Sequence, residues 1–244
     1  MPDGVAADVT AADVTGSPRL ARLAGSASSA GAASNSLLQA SEVRVAGRQA
    51  AEQPQAQVER CELCGEAIAP EHRHVVDLHV RSLLCACRGC AILLDRPGAG
   101  GGHYRLVPER RLWLDGFDLD DLRWASLGVP VDLAFFFRSS GVGRTAAVYP
   151  GAMGATESLL ELETWQELED ANPVLRGLED DVEALLVNHA DGRHDHFLVP
   201  IDDCYALAGV MRTHWKGFGG GAEVWREIDA FFDRLRERAH QEGS

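Results

Sequence analysis

Two cysteine pairs with the same short spacing are the residues of this sequence best suited to chemistry. Cys61 and Cys64 form the first pair, Cys87 and Cys90 form the second, and a 22-residue spacer separates the pairs. Thiolates bind soft metal ions, and cysteines spaced by two residues present both sulfurs to one side of an ion. The spacer is long enough for one hairpin that returns the second pair to the first. The spacing therefore predicts a metal centre held by these four cysteines.

Zinc is the expected ion, because four thiolates close its tetrahedron and a closed centre serves structure rather than catalysis. Treble-clef and zinc-ribbon-like sites have this arrangement: a tight turn, or knuckle, carries the first pair, a hairpin follows, and the second pair lies where a helix begins. Cys85 lies two residues before Cys87 on one face of a predicted strand, so it can replace Cys87 as a ligand. An iron–sulfur cluster on the five clustered cysteines is the alternative, since such clusters also bind Cys thiolates.

Other residues that can bind a metal or act as nucleophiles have simpler interpretations. His72, His74 and His79 lie inside the predicted hairpin and are interpreted as polar strand residues. Cys204 lies at a predicted helix start, which can lower the pKa of a thiol. No base adjoins it in sequence, so we expect a small buried side chain there. No GxSxG, HExxH or protein-kinase motif is present in the sequence.

Three histidines near the end of the chain form a second constellation. His189, His194 and His196 surround Asp191-Gly192, a pair typical of a two-residue type I′ hairpin turn. Such a turn places His189 opposite His194 and puts the three imidazoles on one face. There they can bind a metal or transfer a proton. A solvated hairpin tip is the simpler interpretation.

The sequence divides into three regions. Residues 1–56 are rich in Ala, Ser and Gly and contain no aromatic residue, so we predict a disordered tail. Residues 57–97 hold the cysteine pairs and form a small metal-binding module. A glycine-rich flexible link over 98–102 leads to a larger domain over 103–240. Several strands with separate flanking helices predict an α+β fold there, with an antiparallel sheet covered by helices on one face.

Hydrophobic periodicity and turn residues place the elements of the larger domain. Strands are predicted at 131–138, 144–149, 182–188 and 195–199, and helices at 162–171, 202–215 and 223–238. Asp202 is the expected cap of the second of these helices.

Charge and hydropathy limit the partners and the location. The net charge is −14, so phosphate backbones repel the chain, and no Lys/Arg run supplies a basic patch for nucleic acid. No apolar stretch approaches the 18 residues needed to span a membrane. The N-terminus lacks the positive and apolar regions of a secretory signal. We therefore expect a cytoplasmic protein with reduced thiols.

Several segments also carry a family resemblance: Cys61–Gly65, Leu84–Cys90, Phe197–Tyr205, Arg212–Gly217 and Glu223–Ile228. Over roughly residues 58–240 the chain resembles a bacterial family of unknown function, whose genes tend to lie beside those of high-affinity nickel–iron hydrogenases. The resemblance transfers no catalytic residue. It implies a role near hydrogenase assembly, stability or electron delivery, with a hydrogenase subunit or a maturation factor as the partner.

These observations favour a non-enzymatic metal-binding accessory protein that docks to a protein partner. The first alternative is an iron–sulfur protein that passes electrons through the five-cysteine cluster. The second is an enzyme that uses the face formed by His189, His194 and His196.

Overall fold

The computed structural model describes residues 58–96, 98–151, 154–217 and 220–242, and the predicted tail over 1–56 lies outside these described residues. The strands are β1 (Arg73–Asp77), β2 (Ser82–Ala86), β3 (Tyr104–Leu106), β4 (Leu112–Leu114), β5 (Leu133–Ser139), β6 (Arg144–Gly151), β7 (Gly154–Leu159), β8 (Glu183–Asn188), β9 (Asp195–Pro200) and β10 (His240–Glu242). The helices are α1 (Arg88–Leu94), α2 (Asp121–Ser126), α3 (Leu162–Ala171), α4 (Ile201–His214) and α5 (Gly221–Arg238).

The strands form two sheets, which confirms the predicted α+β class. The smaller sheet has the order β2-β1-β3, and the larger has the order β10-β4-β9-β8-β5-β6-β7. All pairs are antiparallel except β10 with β4, which is parallel. Within the described ranges, no helix combines the length and the apolar character needed to cross a membrane.

Helices cover both faces of the larger sheet, which differs from the single covered face expected from sequence. Phe135 and Phe137 on β5 face a core that α4 and α5 complete. Phe136 points to the opposite face, where Trp124 of α2 and Trp165 of α3 complete a second core. Because side chains alternate along a strand, the run of three phenylalanines supplies apolar surface to both faces. Both faces must therefore be covered.

The smaller sheet packs against the first of these cores. Val76 of β1 and Val107, just after β3, belong to the same buried cluster as the inner residues of α4 and α5. Strand β3, which the sequence division assigned to the larger domain, pairs with β1. The division between residues 97 and 103 stays a prediction, but this contact means that the cysteine module covers part of the larger core.

Two local expectations differ from the structure. Pro200 is the N-cap of α4, so Asp202 lies inside the first turn rather than capping the helix. The glycine-rich segment, predicted as a flexible link, contains a short 3₁₀ turn over Ala99–Gly102. Gly100 and Gly101 there have φ angles of 59° and 80°, which glycine adopts without steric cost.

Candidate metal centre

The first cysteine pair lies on a tight backbone turn. The N–H of Gly65 donates to the carbonyl of Cys61, and the N–H of Cys61 donates to the carbonyl of Glu66, each at 2.8 Å. Gly65 has a φ of 80°, which side-chain-bearing residues rarely adopt. These two hydrogen bonds close a tight loop over residues 61–66, called the knuckle below.

The second pair lies where β2 ends and α1 begins. Cys87 is the N-cap of α1, and its sulfur accepts a hydrogen bond from the N–H of Cys90 at 3.4 Å. Glu62, in the knuckle, donates its N–H to the carbonyl of Cys85 at 2.8 Å and accepts the N–H of Cys85 on its carboxylate at 2.9 Å. These bonds hold the knuckle against β2 and bring the two pairs together.

The four cysteines singled out from the sequence form one compact group. The sulfurs of Cys61, Cys64, Cys87 and Cys90 all lie within 4.8 Å of one another, and that of Cys64 lies 3.7 Å from that of Cys87. Such a group can hold a metal ion. Cys85 is outside it and lies instead beside two histidines.

The pKa values in the group depend on which thiol is charged. Burial alone would raise the pKa of Cys61, but backbone hydrogen bonds from Cys87, Leu63 and Cys64 outweigh burial and lower it to about 6. The pKa of Cys90 is raised by burial and by its hydrogen bonds with the neighbouring thiols. One thiolate therefore discourages the ionisation of its neighbours, and a bound cation is needed to stabilise four thiolates together.

The histidine hairpin has the predicted turn. Asp191 and Gly192 have φ angles of 53° and 75°, and the N–H of Arg193 donates to the carbonyl of Ala190 at 3.0 Å. Positive φ at both central residues is the signature of a type I′ turn. The expected turn chemistry is therefore confirmed, and β8 and β9 continue the same register from it.

The imidazoles next to this turn lie close together, and His189 and His196 are buried, so the simpler interpretation of a solvated hairpin tip is wrong for these two. The Nε2 atoms of His189 and His196 are 3.0 Å apart, and the ring centroids of His189 and His194 are 4.7 Å apart. Asp121, from the start of α2, joins His189 and His194 in a group whose ligand atoms lie within 4.8 Å of one another. Sequence reasoning missed Asp121, because only the packing of α2 over the sheet brings it to this hairpin.

Acid is expected to destabilise the protein through His196. Burial, with smaller contributions from the charges of His189 and His194, lowers the pKa of His196 from 6.5 to about 3. The folded state therefore binds fewer protons than the unfolded state, and the stability present above pH 6.5 is lost as the pH falls toward 3. Between pH 7 and pH 5 we expect His196 to reduce the free energy of unfolding by about 2 kcal/mol.

Urea unfolding at pH 7 and pH 5 checks this expectation. His196→Phe should retain the stacking on Phe117, whose ring lies 4.9 Å away, and should lose less stability in acid than the original protein. His79→Ala, which removes an exposed imidazole, should keep the original pH dependence. An equal acid loss in the original protein and His196→Phe would contradict the prediction.

Together, the fold and the cysteine group define an α+β protein with a group of four cysteines that can hold a metal ion. The model of a family of unknown function, DUF5947, matches residues 60–239, and the chain belongs to that family. Comparison with curated proteins and with solved structures gave no match.

Proposed function

We propose that the protein is a zinc-binding accessory protein, in which a closed four-cysteine centre holds the small module in a shape that docks to a protein partner. The observation that carries the proposal is the spacing of the four sulfurs. A tetrahedral zinc with Zn–S bonds of about 2.3 Å separates its sulfurs by about 3.8 Å. The 3.7 Å between the sulfurs of Cys64 and Cys87 agrees with that value.

The electron-transfer alternative is less well supported by this geometry. In a four-iron cluster each cysteine binds a different iron atom, so the sulfurs must lie farther apart than around a single ion. The fifth cysteine of that hypothesis, Cys85, lies with His72 and His74 instead of joining the four. The enzymatic use of the face formed by His189, His194 and His196 stays a prediction.

The docking surface that we assign is the outer side of α1, formed by Ile92 and Leu93. Their exposed fractions are 62% and 73%, and they lie two and three residues after Cys90 on the helix. A single exposed apolar residue is ordinary, but two adjacent ones on a helix anchored by a metal centre support an interaction site. The family resemblance implies a hydrogenase subunit or a maturation factor as the partner, met in the cytoplasm, where the thiols stay reduced; the hydrogenase subunit is the one tested first.

The test uses protein purified without oxygen from its native host. We expect bound zinc without visible absorption, together with direct binding to the purified hydrogenase in an interferometry assay. Ile92→Ser with Leu93→Ser should weaken this binding at least about tenfold, because a few residues that are fully buried near the centre of an interface carry most of its affinity. Leu122→Ser, which changes an 82% exposed leucine on α2, is the matched control and should bind normally.

Two results would overturn the proposal. Stoichiometric iron with strong visible absorption would show that the four cysteines hold an iron centre instead of zinc. Absent hydrogenase binding, or equal binding by the α1 double variant and the original protein, would remove the docking role.

A further inference from the structure

A second group of metal-binding side chains lies on the hairpin beside the four-cysteine centre. His74 on β1 is directly opposite Cys85 on β2 in the strand register, and His72 lies two residues before His74. Residues two apart on an extended chain point to the same face. The ligand atoms of His72, His74 and Cys85 accordingly lie within 4.8 Å of one another.

His72 has one ring nitrogen bound by backbone carbonyls and the other without a partner among the described residues. Its Nδ1 lies 2.9 Å from the carbonyl of Ala69 and 3.1 Å from that of Pro70. Carbonyl oxygens only accept hydrogen bonds, so Nδ1 carries a proton, and in the neutral ring the lone pair lies on Nε2. The side chain is only 8% exposed, so this Nε2 is buried, and it has no hydrogen-bond partner among the described residues. An unsatisfied buried acceptor costs free energy, and a metal ion would satisfy it.

His74 is oriented by a carboxylate that is distant in sequence. Its Nδ1 donates to Oδ2 of Asp202 at 2.8 Å, while Oδ1 of Asp202 accepts the N–H of Asp203 at 2.9 Å. A carboxylate that holds the far nitrogen of a histidine is the usual support of a metal-binding imidazole. The contact with Asp202 occupies Nδ1 of His74. It leaves Nε2 of His74 as the ligand atom.

We propose that His72, His74 and Cys85 bind a second zinc ion, separate from the four-cysteine centre. Two imidazole nitrogens and one thiolate match the borderline-soft preference of zinc. Three protein ligands leave the fourth position of the tetrahedron for a water molecule, which is the arrangement of reactive rather than purely structural zinc. The site does not depend on the docking role, and it gives Cys85 a function of its own.

The test is zinc stoichiometry, measured by elemental analysis of the full chain after dialysis against a zinc-buffered solution. The original protein should hold two zinc ions per chain, and Cys85→Ser and His72→Ala should each hold one. His79→Ala is the matched control, because His79 lies on the same hairpin, contacts His103 at 3.0 Å and is outside the group. This control should retain two ions.

Asp202→Asn separates a metal site from a merely structural cluster. We expect it to weaken the binding of one of the two ions by about 10- to 100-fold, with full occupancy restored at high zinc. If Cys85→Ser fails to fold, His72→Ala and Asp202→Asn decide the question. One zinc ion in the original protein, or two ions in His72→Ala with unchanged affinity in Asp202→Asn, would overturn the proposal.

Discussion

Cys90→Ser is expected to release the zinc ion of the four-cysteine centre and to unfold the smaller sheet. Structural zinc contributes about 10–16 kcal/mol to the folding of zinc-finger peptides at pH 7, and a module of this size has too small a core to replace that energy. In hydrogen exchange, the amides of β1 and β2 should lose their protection. The amides of β5 and β8, inside the larger sheet, should keep most of theirs.

The matched control is His79→Ala, which changes an exposed side chain of the same hairpin and lies outside the group of four. It should keep the zinc of the four-cysteine centre and the protection of β1. Persistent protection of β1 in zinc-free Cys90→Ser would contradict the role assigned to the centre.

The larger domain should also lose some stability in Cys90→Ser. Val76 and Val107 cover part of its core, and exposing a buried valine costs about 1.5–3 kcal/mol. A thermal melt of Cys90→Ser should therefore show the transition of the larger domain at a lower temperature than in the zinc-bound protein. If removing zinc melts both sheets in one transition, the division between residues 97 and 103 is wrong.

Arg110→Met is expected to lower the free energy of unfolding by about 3 kcal/mol, because it leaves a buried carboxylate without its cation. Glu183 is 1% exposed and accepts two hydrogen bonds from Arg110, at 2.9 and 2.6 Å. It also accepts the N–H of Glu179 at 3.0 Å. The side chain of Arg110 is 41% exposed, so water can reach the pair and the loss falls at the low end for a broken buried pair.

A double-mutant cycle tests whether the unpaired charge is the cause. Glu183→Gln removes the charge but keeps an oxygen for the N–H of Glu179. Arg110→Met combined with Glu183→Gln should therefore lose less stability than Arg110→Met alone in urea unfolding. Losses that simply add would show that the two side chains do not depend on each other.

Features with a local physical cause could be predicted from the sequence. Helix α3 has the predicted bounds, because its apolar residues recur at helical spacing and Pro173 follows it. The hairpin of β8 and β9 also follows from local chemistry, since Asp191-Gly192 tolerates the positive φ angles of its turn. The grouping of the four cysteines could also be predicted locally, from the spacing within and between the two pairs.

Two strands that carry no clear pattern of their own were missed. Strand β7 was not predicted, because its segment, GATESL, lacks a clear apolar alternation and gains its hydrogen bonds from β6. Strand β10 has only three residues and depends on pairing with β4, more than a hundred residues earlier in the chain. Pairing of this kind leaves almost no trace in the segment itself.

By itself, then, the sequence determined the four-cysteine group, the α+β class and the histidine hairpin, because spacing, periodicity and turn residues act over a few neighbouring positions. Only the tertiary structure decided that Cys85 lies with His72 and His74, since this depends on the register of β1 with β2. It also decided that Asp202 supports His74, because α4 must first pack against the smaller sheet. Long-range packing selects among contacts that local patterns leave equally possible.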